Sequence, residues 1–84
     1  MSFALTDPIT LAGRTAPSRV IFGPHETNLA AGRRFSGRHR AYYERRVRGG
    51  AGIVITELAS VLAGDRPYER APLAAESGEG WADI

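Results

Sequence analysis

The fold is decided by two stretches of sequence, RVIFGPHETN at residues 19–28 and YYERRVRGGAGIVITE at residues 42–57. Each contains an apolar run rich in β-branched residues, which predicts a strand at residues 19–23 and another at residues 51–56. Pro24 cannot donate a hydrogen bond to a sheet, so the first strand should end before it. The second run is apolar almost without interruption, which is typical of a strand that is covered on both faces in a parallel sheet.

A helix is predicted between these strands, over residues 38–48. Ser36 is its candidate N-cap, and Gly49 and Gly50 are expected to end it in the left-handed conformation. Side chains at spacings of three and four form one stripe that should pack on the sheet: His39, Tyr42, Tyr43, Arg46 and Val47. A strand, a helix and a strand in this order predict a parallel pair with a right-handed crossover.

Less regular sequence flanks this unit. Residues 8–16 alternate on both sides of an Ala-Gly pair, which predicts a short β-hairpin. Residues 25–37 are polar and aperiodic and predict a loop. Residues 58–80 predict a second, longer loop, and residues 80–84 predict the start of a helix.

The composition bounds the class of protein. The chain has 84 residues, of which 43% are hydrophobic and 24% charged, as in ordinary globular proteins. No apolar run approaches the roughly 18 residues that cross a bilayer, and no leader sequence is apparent, so we expect a cytoplasmic protein without membrane contact. There is no cysteine, which excludes disulfides, thiolate nucleophiles, iron–sulfur ligation and nearly all structural zinc sites from these residues. Redox chemistry would therefore require an organic cofactor.

The positive charge is concentrated in one part of the chain. Residues 33–48 contain a single acid, Glu44, and seven arginines: Arg33, Arg34, Arg38, Arg40, Arg45, Arg46 and Arg48. Such a block is typical of a solvated helix face. The alternative is a small nucleic-acid-binding module, because clustered guanidinium groups neutralise phosphates.

Three parts of the chain, taken in order, resemble the N-terminal segment of the old yellow enzyme family. They are the hairpin, SRVIFGPHETN at residues 18–28 and RHRAYYERRVRGGAGIVITELASV at residues 38–61. Within that family of flavin-dependent oxidoreductases, the sequence is most similar to the branch of 2,4-dienoyl-CoA reductase and trimethylamine dehydrogenase, and there to the mycofactocin-associated oxidoreductases. The resemblance implies an α/β fold, namely the N-terminal part of a (β/α)8 TIM barrel. It also implies FMN as cofactor, at the carboxyl ends of the barrel strands.

The resemblance assigns flavin contacts to two loops. After the first strand these are Gly23, Pro24, His25 and Glu26, whose backbone groups would lie near the N5 and O4 edge of the ring. After the second strand, Leu58 or Ala59 would contact the flavin; small residues are usual there, and Leu58 departs from this. A His and a Thr are frequent near the places of His25 and Thr27. The complete enzyme would pass hydride from NAD(P)H to the flavin and then to an activated alkene or a similar acceptor.

Other candidate residues have simpler interpretations. His25 is in a loop and His39 on a predicted helix, where packing or solvent contact is the ordinary role. Glu57 ends a strand and could act as a base, but such a residue more often ties down backbone or an arginine. A metal site from His25, His39, Glu26 and Glu57 lacks a compact ligand spacing and is not expected.

Length limits the function. We expect residues 1–84 to be a single partial domain, the first βαβ unit of the barrel, because 84 residues hold two of its eight strands. The catalytic side chains, the phosphate site and any iron–sulfur cysteines of the family come later in the barrel. Alone, the chain is expected to be inactive, with FMN and NAD(P)H as ligands of the full-length form. A partner chain that completes the barrel is the remaining alternative.

Overall fold

The order of elements along the chain agrees with the predicted order of hairpin, strand, helix and strand. A computed structural model describes residues 2–84, which form a small mixed α/β structure. The elements are β1 (Ile9–Leu11), β2 (Arg14–Ala16), β3 (Ile21–Phe22), α1 (Gly37–Arg48), β4 (Ile53–Val54) and α2 (Gly78–Asp83), with a 3₁₀ turn at Ala74–Glu76. No helix within residues 2–84 combines the length and apolar character that spanning a bilayer requires.

The predicted hairpin is confirmed. β1 and β2 pair antiparallel, with Thr10 opposite Thr15 and their hydroxyl oxygens 2.9 Å apart. Ala12 and Gly13 connect them with φ angles of 49° and 77°. Two successive positive φ angles are typical of a type I′ turn, whose twist matches that of the strands.

The predicted parallel pair is also confirmed. Ile21 lies opposite Ile53 and Phe22 opposite Val54 in a two-stranded sheet. This pairing is shorter than the predicted strands at residues 19–23 and 51–56, although the N–H of Ile55 still donates to the carbonyl of Phe22 at 3.0 Å. β3 and β4 therefore run in the same direction, and the loops that follow them leave from the same end.

Close backbone contact precedes β4. A Cβ atom at Gly52 would lie 2.3 Å from the carbonyl oxygen of Ser18, so only glycine fits there. The buried Ser18 hydroxyl donates to the carbonyl of Gly50 at 2.6 Å. These contacts hold the end of the helix connection against the segment that leads into β3.

The termini of α1 differ in detail from the prediction. The helix begins at Gly37, with Ser36 as N-cap in extended conformation. Gly49 has a φ of −77° and continues the helical conformation, so the prediction of a left-handed Gly49 is wrong. Gly50, with a φ of 113°, is the left-handed residue; its N–H donates to Val47, and the next N–H donates to Arg46, which together form a Schellman motif.

The core lies beside the first half of α1. His39 and Tyr43 are buried, whereas Val47 on the predicted stripe is 54% exposed. Phe35 packs on His39 in the first turn, with ring centroids 4.5 Å apart. Further buried residues lie in the irregular segments on both sides of the helix in sequence, and they include Ala30, Ala71, Pro72 and Ser77. The stripe prediction fails at its far end because these loops cover the start of α1 and leave its last turn uncovered.

The parallel sheet is covered on one face only. Phe22 packs edge-on against Tyr42 of α1, with ring centroids 5.9 Å apart. On the opposite face Ile21 is 56% exposed and Ile55 is 48% exposed. The prediction that this sheet is covered on both faces is therefore wrong for residues 2–84. The radius of gyration of 14.7 Å likewise exceeds the value of about 12 Å expected of a compact domain of this length.

The segment predicted as a long loop is ordered by contacts with the rest of the chain. Ser60 forms a parallel bridge with Leu73. The guanidinium group of Arg33 donates to three carbonyl oxygens of this segment, those of Ala63 at 2.6 Å, Asp65 at 2.9 Å and Ala71 at 2.9 Å. α2 then begins at Gly78, two residues earlier than the predicted start.

Candidate functional site

The loops after β3 and β4 meet in one cleft at the carboxyl end of the parallel pair. Its volume is about 240 Å³, and its lining consists of Pro24, His25, Glu26, Glu57 and Leu58. Four of the six residues predicted to contact a cofactor thus line one surface. The other two, Gly23 and Ala59, adjoin the cleft in sequence but do not line it.

The upper part of this cleft is accessible. His25 and Glu26 are exposed, and their side chains form no hydrogen bond with any part of residues 2–84. Leu58 is 42% exposed. A Cβ atom at Gly23 would meet no atom within 4 Å, so the backbone of this loop faces open space. Both apolar surface and backbone polar groups are available to a ligand.

A buried carboxylate lies beneath the cleft. Glu57 is 3% exposed, and its two carboxylate oxygens are bonded to side chains from separate parts of the chain. Oε2 lies 2.8 Å from Nε2 of His39 and accepts a hydrogen bond from the hydroxyl of Thr27. Oε1 accepts a hydrogen bond from the hydroxyl of Tyr68. Buried carboxylates require such partners, because desolvation without them is costly.

The protonation of His39 follows from its second nitrogen. The backbone N–H of Ser36 lies 3.0 Å from Nδ1 of His39, so Nδ1 is an acceptor and carries no proton. Nε2 then carries the proton and donates it to Glu57. The neutral ring therefore links the N-cap of α1 to the end of β4.

Two tyrosines complete this buried network. The backbone N–H of Glu57 donates to the hydroxyl oxygen of Tyr43 at 2.9 Å. Burial raises the pKa of Tyr68, and its hydrogen bond to the Glu57 carboxylate raises that pKa further. Burial also raises the pKa of Tyr43, against an opposing effect of the Glu57 backbone N–H. Both phenols are thus harder to deprotonate than a free tyrosine side chain.

The sequence interpretation missed part of this network. The position of Glu57 at the end of a strand predicts a bond to backbone or to an arginine, whereas its side-chain partners are Thr27, His39 and Tyr68. His39 is buried as a packing residue would be, but it also forms a specific hydrogen bond. Tyr68 lies in the predicted long loop, where no periodicity indicates that it contacts Glu57. The available signal was the position of Thr27 and Glu57 shortly after two strands predicted to be parallel.

The structure also accounts for most of the basic block at positions 33–48. Five of its seven arginines have partners within residues 2–84: Arg33 binds carbonyl oxygens, Arg34 pairs with Glu76, Arg40 with Asp83 and Arg48 with Glu44, and Arg46 lies over the ring of Tyr42. The block is therefore not a continuous band of available guanidinium groups.

Within residues 2–84, no three His, Cys, Asp or Glu side chains are grouped so that they could hold a metal ion.

No known protein family matches the chain, and neither does any curated protein or solved structure. The resemblance to the old yellow enzyme family therefore stays a prediction from the sequence.

Proposed function

We propose that the chain is the N-terminal part of a cytoplasmic, FMN-dependent, NAD(P)H-linked oxidoreductase of the old yellow enzyme type. β3, α1 and β4 would be the first βαβ unit of its (β/α)8 barrel. The observation that carries the proposal is the parallel pairing of β3 with β4, because it brings the loops after both strands into one cleft. In barrel enzymes the active site is built from the loops at this end of the strands.

The uncovered side of the sheet supports an incomplete barrel. Ile21 and Ile55 expose apolar surface on the face opposite α1, the side that would face the barrel interior. Within residues 2–84, β3 and β4 each have one unpaired edge, and further strands would pair with these edges. Those strands would come from a continuation of the chain or from a partner chain.

In this proposal the cleft would hold one edge of a planar cofactor. Its volume of about 240 Å³ is below the roughly 300–1,000 Å³ of complete small-molecule pockets, so the rest of the barrel would supply the other walls. Pro24 and Leu58 offer apolar surface, and the backbone from Gly23 to Glu26 offers polar groups. When bound, FMN would supply the hydride chemistry.

The buried network would give this edge of the site its rigidity. Thr27 follows the first loop of the cleft, and its hydroxyl is bonded to Glu57 in the second loop. His39 and Tyr68 hold the same carboxylate from two other directions. Glu57 thus acts as a positioning residue, because it fixes the two cofactor loops relative to each other.

The test of this proposal begins with the coding sequence beyond the codon for Ile84. Further strand and helix units in that sequence are expected, in frame or after a frameshift. The protein expressed from the whole coding sequence is then titrated with FMN, and binding is followed by the quenching of flavin fluorescence.

A pair of glycine variants gives this titration its control. A Cβ atom at Gly23 or at Gly64 would meet no atom within 4 Å, so valine should be tolerated by the fold at either place. Gly23→Val should weaken FMN binding about tenfold, because Gly23 directly precedes the cleft residue Pro24 and the added side chain would crowd a cofactor that contacts this loop. Gly64→Val should leave FMN binding unchanged. Absence of saturable FMN binding, or an equal effect of both variants, would overturn the proposal.

A further inference from the structure

A second cleft, with a volume of about 850 Å³, lies between the segment before α1, the start of α1 and the loop after β4. This volume is within the roughly 300–1,000 Å³ of small-molecule sites. No residue lines both this cleft and the cleft at the end of the parallel pair. It is therefore a separate candidate site.

Its charge is strongly positive. Four arginines line it, against one acid, Glu69: they are Arg33, Arg38, Arg66 and Arg70. The guanidinium groups of Arg38, Arg66 and Arg70 have no hydrogen bond or ion pair within residues 2–84, unlike most arginines of the basic block. Three arginines whose guanidinium groups have no partner within residues 2–84 thus line one concavity.

Arg33 adds a charge that the chain does not neutralise. Its Nε, Nη1 and Nη2 atoms each donate to a backbone carbonyl oxygen, and no carboxylate pairs with it in the described residues. Carbonyl oxygens satisfy the donors but leave the net charge in place. Because Arg33 is half-buried, this charge is less screened by solvent than that of an exposed side chain.

The backbone contributes in the same direction. Ser36, Gly37 and Arg38 form the cleft wall at the start of α1, a helix of 12 residues with no acidic side chain in its first turn. The positive end of the helix dipole therefore faces the cleft without a compensating carboxylate. Asn28 fixes the opposite wall, because its Oδ1 accepts the backbone N–H of Arg70 at 2.9 Å.

We propose that this cleft binds a small molecule through its phosphate or diphosphate group, with Arg38, Arg66 and Arg70 as the contacting side chains. Guanidinium groups bind phosphate oxygens through paired, charge-assisted hydrogen bonds. Among the described residues, no aromatic side chain lines the cleft, so none of them stacks on a nucleobase there as in single-strand nucleic-acid sites. The site recognises the phosphate itself, and this inference does not depend on flavin binding.

The test is calorimetric titration of the 84-residue chain with inorganic pyrophosphate at low ionic strength, with inorganic phosphate as a parallel arm. Saturable binding that weakens as salt is added is expected. The double variant R66A/R70A should bind at least about tenfold more weakly. R45A is the matched control, because Arg45 is exposed, lies outside the cleft and has no ion pair within residues 2–84.

A variant that is expected to bind pyrophosphate more tightly distinguishes loss of the site from loss of folding. E69Q removes the one acid in the cleft and should tighten pyrophosphate binding about threefold by relieving repulsion. A single-stranded oligonucleotide should bind more weakly than pyrophosphate. The proposal is overturned by absence of pyrophosphate binding, by an equal loss in R45A, or by oligonucleotide binding that is tighter and unaffected in R66A/R70A.

Discussion

Nε2 of His39 lies 2.8 Å from Oε2 of Glu57, and neither side chain has any exposed surface. His39 belongs to the first turn of α1, and Glu57 follows β4. Since Nδ1 of His39 accepts the N–H of Ser36, the ring donates to Glu57 as a neutral group. This contact connects the helix start with the loop that lines the candidate cofactor cleft.

Replacement of His39 by leucine should therefore lower the free energy of unfolding by about 3 kcal/mol, because it removes a donor from a buried carboxylate. Urea denaturation followed by circular dichroism measures this. His25→Leu is the control, since His25 is exposed and makes no hydrogen bond within residues 2–84, and its effect should stay within about 0.5 kcal/mol. A similar small effect of both variants would show that the buried contact does not stabilise the fold.

Alkaline pH should destabilise the chain through Tyr68. Burial and the hydrogen bond to Glu57 raise the pKa of Tyr68, so the folded chain holds this proton more tightly than the unfolded chain does. The resulting stabilisation is complete below the unfolded pKa of about 10 and is lost as the pH rises above that value. Urea denaturation at a series of pH values should show this decline. In Tyr68→Phe the decline should be shallower, and an unchanged slope in that variant would contradict the assignment.

Arg33 should hold the segment that follows β4 in its ordered conformation. Arg33→Lys keeps the charge and the trypsin site but cannot reproduce three bonds to the carbonyls of Ala63, Asp65 and Ala71. Tryptic cleavage after Arg70 should therefore become several-fold faster. Arg45→Lys, on the exposed last turn of α1, is the matched control and should leave the rate unchanged. Equal rates in all three proteins would show that the segment is held by other contacts.

Gly52 should be intolerant of any side chain. Because a Cβ atom there would lie 2.3 Å from the carbonyl oxygen of Ser18, Gly52→Ala must separate the backbone segments that lead into β3 and β4. We expect the free energy of unfolding to fall by about 2 kcal/mol or more, measured by thermal denaturation. Gly64→Ala, where the added atom meets nothing within 4 Å, should change it by less than about 0.5 kcal/mol. A tolerated alanine at position 52 would mean that these segments are not in contact.

The amino-acid sequence by itself determined the local elements and their order. The Ala12-Gly13 turn, the helix after Ser36 and the apolar runs around Ile21 and Ile53 depend on conformational preferences of a few neighbouring residues. The parallel direction of β3 and β4 follows as well, because a helix between two strands returns the chain to the same end of the sheet. These features could be predicted since their causes lie within short windows of the chain.

Only the tertiary structure decided which polar groups meet. The four polar side chains of the buried network come from separate segments of the chain: Thr27, His39, Glu57 and Tyr68. Periodicity indicates that a residue is buried without indicating its partner. The apolar runs alone do not indicate the exposure of Ile21 and Ile55, because an apolar run is the same whether or not a second layer covers it; the exposure follows from a single helix that covers one face of a two-stranded sheet. Both properties depend on contacts between distant parts of the chain, and those contacts form only when the whole backbone has been placed.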